Sequence, residues 1–430
     1  MNKEKAWVNL RDSFWFLPVI YSGVAILFVA LVTVLDLLVT PLIKDSVPAI
    51  FLMGSSAAQA MYGALITSIL TMTTISFSTI MVVLTTYTTQ FSPRTLQDFM
   101  KSRVTQHVLG VYSFGFIFVL ITLLLLGEEK DKALLSPFIT AIVAIICLGF
   151  FILFIHHSSR FVQVNNLIGQ IRTSTSKVIH KTYREKDYIE RIDWDKEEIK
   201  SRKSSTRHAI YASRSGYAQG LTVQPLINWA KEKEVLLEAN FYIGSYIQKG
   251  MPVFYYWADG NKEFDEEWGE NFLLLGNERT DLQDIEFSLQ KLVEISVKAI
   301  SPSTNDPHTA INCINRIGSL LAELGEVYEP IRYYADENEE LRIILEPLSY
   351  REYLYKSFYQ VKIYGSHDIS VMNGVLEALY KIALVNRDVI KQDIWEFGQY
   401  MMNAVDDKGL DRLDKEHYDH QVEKLTRACS

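Results

Sequence analysis

The chain has 430 residues, 43 of them Lys or Arg and 51 Asp or Glu, for a formal net charge of −8; no basic stripe with interleaved aromatics stands out, which argues against a nucleic-acid partner. Met1 to His156 holds nine basic and eight acidic residues while the remainder holds 34 and 43, so the two parts of the chain belong in different solvents. Cys147, Cys313 and Cys429 have no metal-ligand spacing and cannot all pair with one another, the usage of unpaired thiols in a reducing compartment.

Four apolar segments come first, at about Phe14–Val39, Met61–Tyr87, Val108–Gly127 and Leu134–Ile155. Each is long enough for a hydrocarbon core of ~30 Å, which takes ~20 helical residues. The first is too long for the apolar region of a signal peptide and no small-residue cleavage site follows it, so it should stay as a membrane span. Lys3, Lys5 and Arg11 precede the first segment, Arg94, Lys101 and Arg103 lie between the second and third, and Arg160, Arg172 and Lys177 follow the fourth. The intervening connections carry Lys44, and Lys130 and Lys132 diluted by acids, so the positive-inside rule places both termini in the cytoplasm.

The second segment differs from its neighbours. Thr67, Thr71, Thr74, Ser78, Thr85 and Thr89 recur at helical steps, interrupted at Met81–Val82, and form one hydroxyl stripe. From Gln59 to Gln90 the helix would be ~48 Å long at 1.5 Å per residue, so it must tilt or project beyond the core. The stripe fits either a helix-packing face or the lining of a hydrated path in which oxygens replace part of an ion's shell. Asp36 is an acid within the outer end of the first span, a functional candidate by its depth. Glu128, Glu129 and Asp131 crowd the outer turn between the third and fourth spans, where a symmetric oligomer would repeat them as a cation-collecting ring.

After the fourth span, Phe161, Val164, Ile168, Ile171, Thr175 and Val178 follow a three-four spacing through polar sequence, a narrow helical seam. It predicts a stem continuing the span, packed on another subunit or on the second span. The charge-dense stretch from Tyr183 to Arg207 marks a domain junction. Between His208 and Ala258 short β-type runs alternate with glycines, and Phe241 to Val253 reads as strand, turn, strand, turn, strand. That spacing resembles the small barrels of lipoyl-like modules, but Lys249 lacks the carrier setting, so the use is structural.

From Asp281 the pattern turns helical. Ile285, Leu289, Leu292, Val293, Ile295 and Ser296 outline one amphipathic helix, and Asp306 with Pro307 reads as the N-cap and first position of the next, whose apolar face is Ile311, Ile314, Ile317, Leu320, Leu321 and Leu324. Further helices are expected around Tyr350–Tyr364, Ile369–Val385, Val389–Val405 and Leu410–Arg427. Arg279, Gln283, Asp284, Asn305 and Asp306 are candidates for a polar network that fixes the fold or binds a small regulator. No phosphate loop, serine elbow or paired Cys/His pattern occurs, which does not favour an enzyme or a cofactor. His417, Asp419 and His420, or Asp306 with His308, read as solvated clusters rather than metal sites.

Gln90-Phe91-Ser92-Pro93-Arg94, Ser215-Gly216-Tyr217, Gly276-Asn277-Glu278-Arg279-Thr280 with Gln283-Asp284, and Ala299-Ile300-Ser301-Pro302-Ser303-Thr304-Asn305-Asp306-Pro307 followed by Thr309-Ala310 occur in this order. Together they resemble the bacterial membrane proteins grouped as domain of unknown function 2254, with departures at Ser303, where that pattern has glycine, and His308, where it has an aromatic. The resemblance implies a bacterial setting and no reaction, ligand or residue role.

The expected architecture is an α-helical membrane protein of four transmembrane helices followed by a cytoplasmic α+β domain. Its parts are a transmembrane domain (1–156), a stem and charged linker (157–207), a small β-barrel-like unit (208–276) and a helical domain (277–430). The expected function is a homo-oligomeric channel in the bacterial plasma membrane that conducts monovalent cations along the second span. A non-conducting signalling anchor is the alternative, and a secondary transporter is less favoured because four spans without intramembrane acidic pairs or inverted halves offer little coupling machinery.

Overall fold

Where apolar residues persist for five helical turns or more, the computed structural model of the chain has long helices; it describes residues 15–43, 48, 52–90, 94, 102–126, 133–183, 189–191, 193–258 and 272–430. Four helices among them are long and apolar enough to cross a membrane. They are α1 (Phe16–Val34), α2 (Ser55–Gln90), α3 (Arg103–Leu125) and α4 (Ser136–Val162), with α1 prolonged by a π-helical turn at Leu35–Val39 and a last turn at Thr40–Ile43. A two-residue pair, β1 (Met53–Gly54) with β2 (Ala133–Leu134), joins the starts of α2 and α4.

These helices lie in the first of two compact units, Met1–Asn166 and Leu167–Ser430. Within it α3 is the hub, packed on α1, α2 and α4, while α2 also packs on α4. Close approach depends on small residues: a Cβ at Gly110 would sit 2.5 Å from the Tyr21 ring and one at Gly115 would sit 2.6 Å from Cys147 Sγ. Outward faces are apolar, with Leu27 72% and Ile152 63% exposed.

The expected continuation of the fourth span as a stem is corrected at Gln163, where φ −73 and ψ 115 end α4. The next helix, α5 (Val164–Tyr183), starts one residue later. Its seam residues Ile168, Ile171 and Thr175 are buried, and Arg172 and Ser176 both bond Glu323 in the second unit. The seam is therefore used within the chain.

The second unit is α+β. Its strands are β3 (Ile189–Arg191), β4 (Arg207–Tyr211), β5 (Gly216–Leu221), β6 (Leu236–Ala239), β7 (Tyr246–Ile247), β8 (Pro252–Trp257), β9 (Leu273–Gly276), β10 (Arg332–Ala335) and β11 (Leu341–Leu345). A six-stranded sheet has the order β3-β10-β11-β6-β8-β4, and a three-stranded sheet the order β7-β5-β9. Pairing is antiparallel except between β6 and β11, which run parallel. Short helices α6 (Lys196–Arg202) and α7 (Val223–Lys233) precede β4 and β6. Both sheets and α7 enclose one core around Leu226, Phe254, Leu275 and Ile343.

This corrects the expected barrel-like unit at 208–276. Two open sheets form instead, and the larger takes β3, β10 and β11 from outside that range. The reason lies in β11, whose Leu341–Ile344 run is buried throughout; a strand covered on both faces loses the alternation that identifies strands in sequence.

The remaining helices are α8 (Ile285–Ala299), α9 (Pro307–Val327), α10 (Tyr350–Gly365), α11 (Ile369–Val385), α12 (Asp388–Met402) and α13 (Arg412–Cys429). Several starts are capped as side-chain chemistry dictates, since a short oxygen side chain satisfies the first free N–H groups. Asp284 accepts from Phe287 N in α8, Asp306 from Thr309 N in α9, and Ser349 with Glu352 forms a reciprocal capping box in α10. Ile314, Ile317, Leu320, Leu321 and Leu324 of α9 are fully buried.

Candidate functional site

Two places carry polar chemistry that the sequence singles out, one on α2 and one at the start of α8. On α2, Tyr62, Ile69, Ser76 and Val83 recur every seventh residue and, with Tyr87, are buried against α3 and α4. Thr67, Thr71, Thr74, Ser78, Thr85 and Thr89 are all exposed. At 3.6 residues per turn this stripe lies on the side of α2 opposite its buried edge. Ala60, Gly63 and Ala64 continue the same exposed face toward the start of the helix, and a Cβ at Gly63 would meet nothing within 4 Å.

The hydroxyls have a common orientation. Thr67, Thr71, Thr74, Thr85 and Thr89 donate to the carbonyls four residues earlier at 3.0, 2.8, 2.9, 2.9 and 2.8 Å. Each proton is thus committed to the backbone, and each oxygen keeps its lone pairs for the outside. The stripe is interrupted by Met81 and Val82, 61% and 65% exposed. Below them Thr85, Thr86 and Thr89 line a shallow concavity with these two residues.

Asp36 sits away from that stripe, in the π-helical turn. Its Oδ1 accepts from Leu135 N at 2.8 Å, Ser136 N at 3.2 Å and Thr40 Oγ1 at 3.3 Å. A carboxylate is stabilised there by the free N–H groups at a helix start, so Asp36 ties the end of α1 to the start of α4. Tyr62 adds a second tie, donating to Ser136 Oγ at 2.9 Å. Glu128, Glu129 and Asp131 lie outside the described residues.

The polar network expected in the second unit divides in two. Arg279 holds Asp284 with two hydrogen bonds of 2.8 Å and also bonds Glu286. Lys356 Nζ lies 3.7 Å from Glu286. Asp284 is 2% exposed, and burial pushes its carboxyl up to about 6 against the lowering effect of Arg279. Gln283 stitches the cluster to β5, accepting from Leu221 N at 3.0 Å and donating to Leu221 O at 3.3 Å. Asn305 and Asp306 lie beyond the far end of α8, whose 15 residues span about 22 Å at 1.5 Å each. Asp306 there caps α9, with Thr309 Oγ1 donating to it at 2.6 Å, and Asn305 takes a left-handed φ of 48.

Glu286, Lys356 and Gly244 are the members that sequence reasoning missed. Gly244 has φ +94, and a Cβ there would lie 2.3 Å from Asp284 Oδ2 and 2.6 Å from Arg279 Nη2. The cluster therefore seats the turn between β6 and β7, and only glycine fits. The glycine's turn is legible in sequence; the carboxylate pressed against it is 40 residues away. Among the described residues no group of three His, Cys, Asp or Glu side chains could hold a metal ion.

The sequence profile of a family described as "Predicted membrane protein (DUF2254)" matches residues 11–381. Similar curated proteins include an uncharacterized protein of Mycobacterium tuberculosis (strain ATCC 25618 / H37Rv), 25% identical over 399 residues covering 89% of this chain and 74% of the relative. An uncharacterized protein of Mycobacterium bovis (strain ATCC BAA-935 / AF2122/97) has the same identity and coverage. No solved structure matches the chain.

Proposed function

The chain belongs to the DUF2254 family of predicted membrane proteins, and from that premise we propose that it crosses the bacterial plasma membrane four times, with both termini cytoplasmic, and assembles as a homo-oligomer that conducts monovalent cations. In this reading α1–α4 are the spans and α2 of each copy faces the symmetry axis. The second unit forms a cytoplasmic vestibule or regulatory domain.

The observation that carries the reading is the outward hydroxyl stripe of α2. A protomer that buries Tyr62, Ile69, Ser76 and Val83 and leaves six hydroxyls outside has its polar face free for another copy or for water. The committed protons matter as well: oxygens whose hydrogens point to backbone carbonyls present negative ends outward, the polarity that replaces a cation's hydration shell. With no charge on the stripe, discrimination among monovalent cations should be weak. The same bonded threonines also suit a dry helix contact, which is the non-conducting anchor.

Flux separates the two. Purified protein in liposomes should pass potassium and sodium, and Thr71→Val, which removes an oxygen at nearly constant volume, and Ser78→Val, which replaces a hydroxyl by a larger apolar group at an exposed position, should each change the flux severalfold. Permeability equal to empty liposomes leaves the anchor as the function, and flux indifferent to both substitutions removes the α2 stripe as the conducting path.

A further inference from the structure

We propose that the second unit carries a binding cleft for a small organic cation, an amine or a quaternary ammonium, independent of the reading of α2. The cleft has a volume of about 330 Å³ and lies among the loop after β6, β7, the start of β8, the loop after β11 and the first turn of α10. It therefore opens at the carboxyl ends of β6 and β11, the parallel pair of the sheet. Volumes of ~300–1,000 Å³ suit small molecules.

The lining selects the charge. Glu346 and Glu352 supply carboxylates, Tyr242 and Tyr246 supply rings, Met251 and Leu348 supply apolar surface, and no Lys, Arg or His is among the lining residues. Tyr246 is 54% and Met251 44% exposed, large soft groups held at a surface. Lys356 Nζ already lies over the Tyr242 ring, 5.3 Å from its centroid, so Tyr246 is the ring offered to a ligand. Ring quadrupoles and carboxylates both attract a cation and both repel an anion. A compact cation thus finds its charge met by Glu346 and an aromatic face, with its methylene or methyl groups against Met251 and Leu348.

The cleft is held in shape from beneath. The turn bearing Tyr242 and Tyr246 rests on Arg279 and Asp284 through Gly244, Ser245 N donates to Tyr242 O at 3.1 Å, and Gly244 N donates to Ala218 O at 2.8 Å. A backbone fixed before binding loses little further freedom on binding. The buried cluster is thus the support of the site and its side chains need not touch the ligand.

The test is calorimetric titration of the full chain in detergent, at constant ionic strength, with choline and with 1,4-diaminobutane, and with 1,4-butanediol as the neutral comparison. At least one of the two cations should bind with a Kd of about 1 mM or tighter. Binding should weaken at least tenfold in Glu346→Gln and in Tyr246→Ala, both exposed positions, and stay unchanged in Glu337→Gln, an exposed acid elsewhere. Glu352 is left intact because it caps α10. No heat with either cation, equal binding of the diol, or an isotherm untouched by Glu346→Gln overturns the proposal. None of these outcomes bears on conduction, which the titration does not require.

Discussion

Replacing Gly244 with alanine tests the buried cluster more sharply than removing any of its charges. Gly244 and Gly250 have similar backbone conformations, φ +94 and φ +84, but a Cβ at Gly250 meets nothing within 4 Å whereas one at Gly244 falls 2.3 Å from Asp284 Oδ2. Gly250→Ala should therefore show left-handed strain alone, ~1–2 kcal/mol. Gly244→Ala adds displacement of a buried ion pair, whose outright loss costs ~3–5 kcal/mol, so its total should reach roughly 3–6 kcal/mol. In urea unfolding of the full chain in detergent, followed by intrinsic tryptophan fluorescence, that is a midpoint shift of about 1–2 M for Gly244→Ala and well under 1 M for Gly250→Ala. Equal shifts for the two variants would mean that Arg279 and Asp284 do not seat the turn, and the reasoning would fail.

Three further outcomes follow from side chains already placed. Asp306→Ala should cost ~0.5–2 kcal/mol as a lost cap. The Thr309 hydroxyl and then its N–H hold the Asp306 carboxyl below the usual carboxylate range, so the cap's contribution is complete above about pH 4 and fades as pH falls through the folded value; parent and variant should converge in acid unfolding, and a gap that widens in acid would contradict the assignment. Asp36→Leu leaves Leu135 N and Ser136 N without their acceptor, a loss of ~1–3 kcal/mol that should lower the thermal midpoint in detergent, while an unchanged midpoint would remove Asp36 as a tie between α1 and α4. Iodoacetamide should alkylate Cys429 first, because Cys147 and Cys313 are buried and burial raises the Cys313 thiol; alkylation of Cys313 at the same rate in the folded protein would contradict that burial.

The helices were more legible than the strands, for reasons seen in particular residues. Leu289, Leu292, Val293 and Ser296 repeat at helical spacing over a length no short strand can match, and Asp306-Pro307 marks a start by capping chemistry, so α8 and α9 follow from local rules. The apolar runs of α1 to α4 are legible for the same reason. Strands β10 and β11 are not, because Leu341 to Ile344 are buried together, Arg342 included through its ion pair with Asp336, so a charged residue stands where burial on both faces leaves no polar–apolar alternation to read. Helix α7 lies within the stretch read as β-type, where the glycines of β5 and of the Gly244 turn dominate the pattern. The stripe of α2 was readable as a stripe, but the side it faces was not, since only packing on α3 and α4 decides which edge of a mixed helix is covered. The split of the expected network also depends on the third dimension: Asp284 and Asp306 both cap helices, one beside Arg279 and Gly244, the other beyond the far end of α8.

Solvation of the α2 stripe is the claim on which conduction rests, and substituted-cysteine accessibility measures it directly. In a chain with its three cysteines replaced, reconstituted in liposomes, Thr71→Cys, Thr74→Cys and Ser78→Cys should react with a positively charged, membrane-impermeant thiosulfonate at least ten times faster than Leu27→Cys and Ile152→Cys on the apolar outer faces of α1 and α4. Stripe cysteines as unreactive as those two controls would place the hydroxyls in lipid or in a dry contact and contradict the account.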